Sequence, residues 1–262
     1  MKTLFRYLKI WWKISLESFM MVLSQKFVIT FFLVGKVLRF IFFFGFLYFL
    51  LGSSKSLAEF SGNQVIFFFL TYTLIDTIAQ FLFREVYRFR PLVISGDLDL
   101  ILVKPMNPLF RVLMGGADVI DLITIPPLVA ATWHIGSLLN PSAINVVYYL
   151  FLVLNGLLVA TAFHIAVLAF GVITLEVDHT VMVYRDLISM GRFPIDIYKE
   201  PLKSVLTFLI PVGIMITLPA KALFGLISPA GVILSLFFGL ALVLIAISFW
   251  EFALKKYSSA SS

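Results

Sequence analysis

Residues 146–175 read VVYYLFLVLNGLLVATAFHIAVLAFGVITL, thirty positions without one Asp, Glu, Lys or Arg. A helix needs about 20 apolar residues to cross about 30 Å of hydrocarbon, so this stretch predicts a membrane span. Five further stretches on either side come close to the same requirement: 28–51, 64–83, 112–139, 202–218 and 230–254. The chain of 262 residues is 61% hydrophobic and 13% charged, with a mean hydropathy of +1.05. Soluble domains carry about 25% charged residues, so water is not its main solvent. No polar linker divides the apolar stretches, which predicts an all-α fold: one transmembrane domain over residues 1–257 with six spans. The fifth stretch is the weakest. Pro211 lies inside it and Pro219 ends it, predicting a short helix that continues as a broken segment through residues 224–228, tolerable only where protein or water covers it.

Orientation follows from Lys and Arg in alternate connections. Lys2, Arg6, Lys9, Lys13 and Lys26 precede the first span, and Arg84, Arg88, Arg90, Lys104 and Arg111 follow the second. Arg185, Arg192, Lys199 and Lys203 follow the fourth, and Lys255 and Lys256 the sixth, whereas the other set of connections holds only Lys55 and Lys221. Basic loops stay in the cytoplasm, so both termini are expected there, in a multi-pass protein of the plasma (inner) membrane. In this setting the net charge of +6 reflects lipid topology, and no nucleic-acid partner is expected. Residues 1–27 alternate Phe5, Leu8, Trp11, Trp12, Leu16 and Phe19 with Lys9, Lys13 and Glu17, predicting an amphipathic helix in the interface. The charges inside it, and the lack of a small-residue cleavage site, argue against a cleavable signal. Residues 258–262, Ser and Ala, predict a disordered tail.

Chemistry is scarce. The sequence has no cysteine, no helical HExxH, no GxSxG and no GxxxxGK[ST], and its histidines 134, 164 and 179 are far apart. No catalytic residue, metal site or bound cofactor is therefore expected, and the chain cannot hydrolyse ATP by itself. The sharper signal is charge within the spans, each costing about 2.5–3.5 kcal/mol at a helix centre. Lys36 and Arg39 in the first span, Asp76 in the second, and Asp118 and Asp121 in the third stand at matching distances from the basic end, at about 1.5 Å per residue. Two readings stand side by side: a polar cluster joining the first three helices, or long basic stems reaching for the headgroups while the helices begin later.

The basic connections at 84–111 and 176–203 are the longer ones. Within the first, residues 95–110 read SGDLDLILVKPMNPLF. Gly96 can break the preceding structure, Asp97 can cap a short helix, and Pro105 must end it. Leu98, Ile101 and Leu102 would form its apolar face, bordered by Asp99 and Lys104. Such a helix either lies on lipid or seats in a groove of another protein.

This loop resembles that of the ABC-2 family of ABC transporter permeases, in Gly96, Leu98, Asp99, Leu102, Lys104, Pro105, Asn107, Pro108, Leu109 and Phe110. Arg192, Phe193, Pro194 and Asp196, and Pro219–Ala220 followed by Gly225, resemble further elements of that family. The resemblance implies a membrane permease subunit of an ATP-driven exporter. Asp97 to Lys104 would be the coupling helix pressed into a separate ATPase subunit, which would hold ATP and Mg. Arg192, Phe193 and Pro194 would make a second, smaller contact, and a second permease subunit, identical or related, would complete the pathway. Lys36 and Arg39 fall where relatives are more apolar. Two other classes stay open on the residues alone. An ion-coupled secondary transporter is motivated by Asp76, Asp118 and Asp121, and a non-transporting scaffold by the long loops.

Overall fold

The computed structural model describes residues 2–54, 56–57 and 59–258. Lys55, and residues 259–262 of the expected tail, lie outside the described residues. The architecture is helical throughout, apart from one two-residue hairpin. Helix α1 (Lys2–Leu23) turns at Ser24 and Gln25 into α2 (Lys26–Ser54), and strands β1 (Ser56–Leu57) and β2 (Phe60–Ser61) pair antiparallel before α3 (Gly62–Phe83). Ser61 starts α3 with a reciprocal cap, its backbone N–H donating to Gln64 Oε1 at 2.9 Å. α3 is the central post. Phe67, Phe68, Tyr72, Ile75 and Ala79 bury every side of it, as expected of a helix apolar all round and enclosed by others.

A 3₁₀ turn at Arg84–Arg88 leads into the short helices α4 (Phe89–Ile94), α5 (Asp97–Leu102) and α6 (Pro108–Leu113), then α7 (Val119–Leu138) and α8 (Ala143–Thr174). The third span begins seven residues later than its hydropathy suggests. Asp118 caps α7, accepting from the N–H of Ile120 at 2.8 Å, and a Cβ on Gly115 or Gly116 would collide with Arg111 or Ser18. The chain therefore turns here, packed tightly against α1 and α6. The last helix, α12 (Pro229–Lys256), runs parallel to α8. Asn155 Nδ2 donates to the carbonyl of Ser235 at 2.9 Å near one end, and Phe170 meets Phe249 at 4.8 Å near the other.

The connection between the fourth and fifth spans departs from expectation. Residues 176–203 do not form a loop at one end. Helix α9 (Val177–Ser189) turns back along α8, with Tyr184 4.7 Å from His164 and Arg185 3.2 Å from Asp76. Phe193 then reaches Phe43 and Phe46 in the far half of α2, and Asp196 pairs with Lys221 at 2.6 Å, whose ammonium lies 6.0 Å from the ring of Phe60 in the hairpin. Residues 177–198 thus travel from the loop end of the molecule to the hairpin end. Lys199 and Lys203 belong with Lys221, not with Arg84 and Lys104.

The fifth stretch is not one straight helix. Helices α10 (Leu202–Leu209) and α11 (Gly213–Leu223) are bent 76° apart, and the backbone of α10 widens to an i→i+5 bond from Ile210 N–H to Val205 O. Pro211 forces the break. Lys203 on α10 and Lys221 on α11 both bind the carboxylate of Asp196, at 2.9 and 2.6 Å. A straight helix would hold those two residues about 27 Å apart. Halfway along α8, a Cβ on Gly156 would lie 2.5 Å from Met215 O, so α11 touches α8 backbone to backbone. Among the described residues five helices are long and apolar enough to cross a membrane, or six if the bent pair counts as one broken span.

The basic residues remain unequally divided: α1, the 84–111 segment and the end of α12 share one end, while Lys199, Lys203 and Lys221 share the other. Since the chain has no cysteine, single-cysteine labelling reads the topology directly. Cysteines at Lys199 and Glu59 should react with an impermeant maleimide from the same side of sealed vesicles, and one at Lys104 from the opposite side. Labelling of 199 together with 104 would refute the returning path of residues 177–198.

Candidate functional site

The loop expected to bind a partner is built from the α4–α5 corner outward. Ser95 Oγ donates to Pro91 O at 2.8 Å and to Asp97 Oδ2 at 2.7 Å, and Gly96, at φ +79°, takes the left-handed conformation that starts α5. Gly96 therefore occupies the cap position expected of Asp97, which is the first helical residue, exposed, with its carboxylate turned back to Ser95. The apolar face was read correctly as a face, but it points inward. Leu98 is fully buried and Ile101 nearly so, in one cluster with Phe89, Val93, Trp250 and Ala253, while Leu102 packs on its margin. That face is consumed by the chain's own core and is not available to a partner. What α5 offers outward is Leu100 and Val103, 59% and 80% exposed, flanked by Asp97, Lys104, Pro105 and the 54% exposed Ile94. Asp99 lies beside Tyr257, where burial first and then Asp99 raise the tyrosine hydroxyl above its usual range. Such coupling ties the exposed loop to the end of α12.

α1 braces the same end. Tyr7 Oη accepts from the N–H of Asn107 at 3.0 Å and its ring meets Phe110 at 4.7 Å, Ser15 Oγ accepts from Ala117 N–H at 3.2 Å, and Arg6 donates to Pro105 O. Phe5, Leu8, Trp12 and Leu16 are left exposed, the surface a lipid interface would cover.

The second expected contact is not at this end. Arg192 lies over the ring of Tyr72 at 5.9 Å, Phe193 sits against Phe43 and Phe46, and Pro194 is buried. All three lie between helices, deep in the molecule, because α9 carries them there.

The intramembrane charges do converge, with partners that the sequence reading did not assign. Lys36 pairs with Asp121, as matching depth suggested. Asp118 pairs with Arg84 at 3.2 Å, and Asp76 with Arg185 at 3.2 Å and with Gln80 Nε2 at 2.8 Å. Glu85 and Arg111 add a fourth bridge at 2.7 Å. Arg39 is exposed and within electrostatic reach of Asp76 and Tyr72 without an ion pair among the described residues. Arg185 was missed because its segment was read as a loop. The signal was present in Val177, Val181, Tyr184 and Ile188, whose i, i+4, i+7, i+11 spacing marks one helical face.

The body is that of a polytopic helical membrane protein, apolar on its flanks, with short helices gathered at one end. The chain belongs to the ABC-2 family: the model described as ABC-2 family transporter protein matches residues 33–261. No curated protein and no solved structure matches the chain.

The Asp76–Arg185 pair is 6% and 30% exposed. Removing one partner strands a buried charge, which typically costs about 3–5 kcal/mol. Asp76→Asn and Arg185→Gln should each lower the thermal unfolding midpoint in detergent, and the double variant should recover part of the loss. An unchanged midpoint in Asp76→Asn would mean that the pair does not hold α9 to α3.

Proposed function

We propose that this chain is the membrane subunit of an ATP-driven exporter in the plasma membrane, with both termini and the α4–α6 loops in the cytoplasm. A separate ATPase subunit binds ATP and Mg and seats against α5. The observation that carries this reading is the split of α5 into a buried face and an exposed apolar edge. Leu100 and Val103, with Ile94 beside them, form a small exposed apolar edge at the basic end, the kind of edge that a groove on another protein can receive. Leu98 and Ile101 lock the same two helical turns into the core. A push on the exposed edge is therefore delivered to Trp250 of α12 and to the α3 end as a rigid displacement, since packed cores transmit strain and do not absorb it.

A second permease subunit, the same or related, completes the pathway. Supporting this, α2 meets the body along one side only, through Lys36–Asp121, the rings of Phe40, Phe43 and Phe44 around Phe69, and Leu47. Phe31, Phe42, Phe46 and Phe49 along it are more than half exposed. Lipid and a facing subunit share that surface. Ion-coupled secondary transport draws less support, because Asp76, Asp118 and Asp121 are each held by a cation and none is left free to carry a proton.

The two faces of α5 separate the effects of mutation. Leu100→Glu and Val103→Glu should leave folding intact and reduce ATP-driven transport and ATPase stimulation about tenfold or more, as expected of central contacts worth over 1 kcal/mol. Leu98→Glu should instead prevent stable folding, seen as loss of a monodisperse peak in detergent. Full coupling in the Leu100→Glu/Val103→Glu double variant would contradict the proposal.

A further inference from the structure

The charged layer does not balance. Its cations are Lys36, Arg39, Arg84, Arg185 and Arg192, and its anions Asp76, Asp118 and Asp121. Three ion pairs engage Lys36, Arg84 and Arg185, which leaves Arg39 and Arg192. No carboxylate among the described residues lies within ion-pair distance of either. Both act electrostatically on Asp76 and Tyr72, so they stand in the same layer, one on α2 and one at the end of α9. Arg192 is half-buried, and its Nε is fully enclosed without an acceptor. Asp76 alone cannot offset them, because its single charge already faces Arg185.

An arginine does not release its proton at this depth, and an uncompensated cation inside the membrane is expensive. The surroundings suit the headgroup of an amphiphile. Phe43, one turn beyond Arg39 on α2, meets Phe193, the chain neighbour of Arg192, at 5.9 Å, and Phe46 joins them. On the adjacent face of α2 an apolar groove of about 560 Å³, lined by Leu33, Val37, Phe40, Leu70 and Leu128, has Lys36 at its edge. A guanidinium pair presents paired N–H donors matched to phosphate or carboxylate oxygens.

We propose that Arg39 and Arg192 bind the anionic headgroup, phosphate or carboxylate, of an amphiphilic cargo whose chain lies along α2. The proposal deepens the export reading by naming the cargo's class. Binding to the permease alone requires no ATPase, so failure here leaves the coupling argument standing.

The test is isothermal titration of the purified full chain in non-ionic detergent with oleate, lysophosphatidate, monoolein and inorganic phosphate. The two anionic amphiphiles should bind at least tenfold more tightly than neutral monoolein. Arg39→Gln and Arg192→Gln should each weaken that binding about tenfold or more, since hydrogen bonds to charged groups are the strong ones. Arg39 is exposed and makes no side-chain hydrogen bond among the described residues, so Arg39→Gln should fold normally, and Arg39→Lys, which keeps the charge but not the paired donors, should retain part of the affinity. Equal binding of monoolein, or an unaltered affinity in folded Arg39→Gln, would overturn the site. Displacement of oleate by millimolar inorganic phosphate would overturn the amphiphile as its occupant in favour of a soluble anion.

Discussion

A charge placed in hydrocarbon must be answered by an opposite charge or by water, and the arrangement of this molecule follows from that constraint. Asp76 on α3 is answered by Arg185 on α9, Asp121 on α7 by Lys36 on α2, and Asp118 at the start of α7 by Arg84 at the end of α3. Each bridge joins two helices that otherwise meet through generic apolar contact. Lipid tails are as apolar as leucine, so hydrophobicity alone does not select one helix partner over another within the membrane. The ion pairs supply that selection. They matter most for α2, whose only fully buried large side chain among the described residues is Leu47.

The same logic operates at the other end of the molecule. Asp196 receives Lys203 and Lys221 together, drawing both arms of the bent pair α10–α11 toward one carboxylate. The bent pair is wedged against α8 at Gly156 and against residues 191–195 at Gly213. Its irregular backbone is tolerable because protein covers most of it: Gly213 to Thr217 are all buried.

The sequence made the membrane class, the outlying spans and the layer of charges legible, because each rests on a local property: unbroken apolar length, or distance from a basic boundary. It also marked the fifth stretch as broken, but expected the helix to end at Pro219, whereas the bend falls at Pro211 and Pro219 lies within α11. It did not reveal the path of residues 177–198. That stretch carries Arg185, Arg192 and Asp196 and so reads as a polar loop, yet tertiary partners satisfy or approach each charge and allow it to pass between helices. The direction of α5 was hidden for a related reason. Leu98, Ile101 and Leu102 are plainly a face, but whether a short amphipathic face turns toward its own core or toward a partner depends on what lies behind it, here Phe89 and Trp250. Leu100 and Val103, at i, i+3, formed a second and shorter apolar pair that the reading of the first face passed over.

The central claim is that the exposed edge of α5 meets a separate ATPase. Its most direct measurement is site-specific photo-crosslinking in intact cells, with a photoreactive amino acid at Val103, at the 80% exposed edge of the loop, and a control at Glu59 in the hairpin. The account predicts a covalent adduct between position 103 and a polypeptide bearing a nucleotide-binding domain, and none from position 59. An ATPase adduct at 59, or adducts at 103 that contain only lipid, would contradict it.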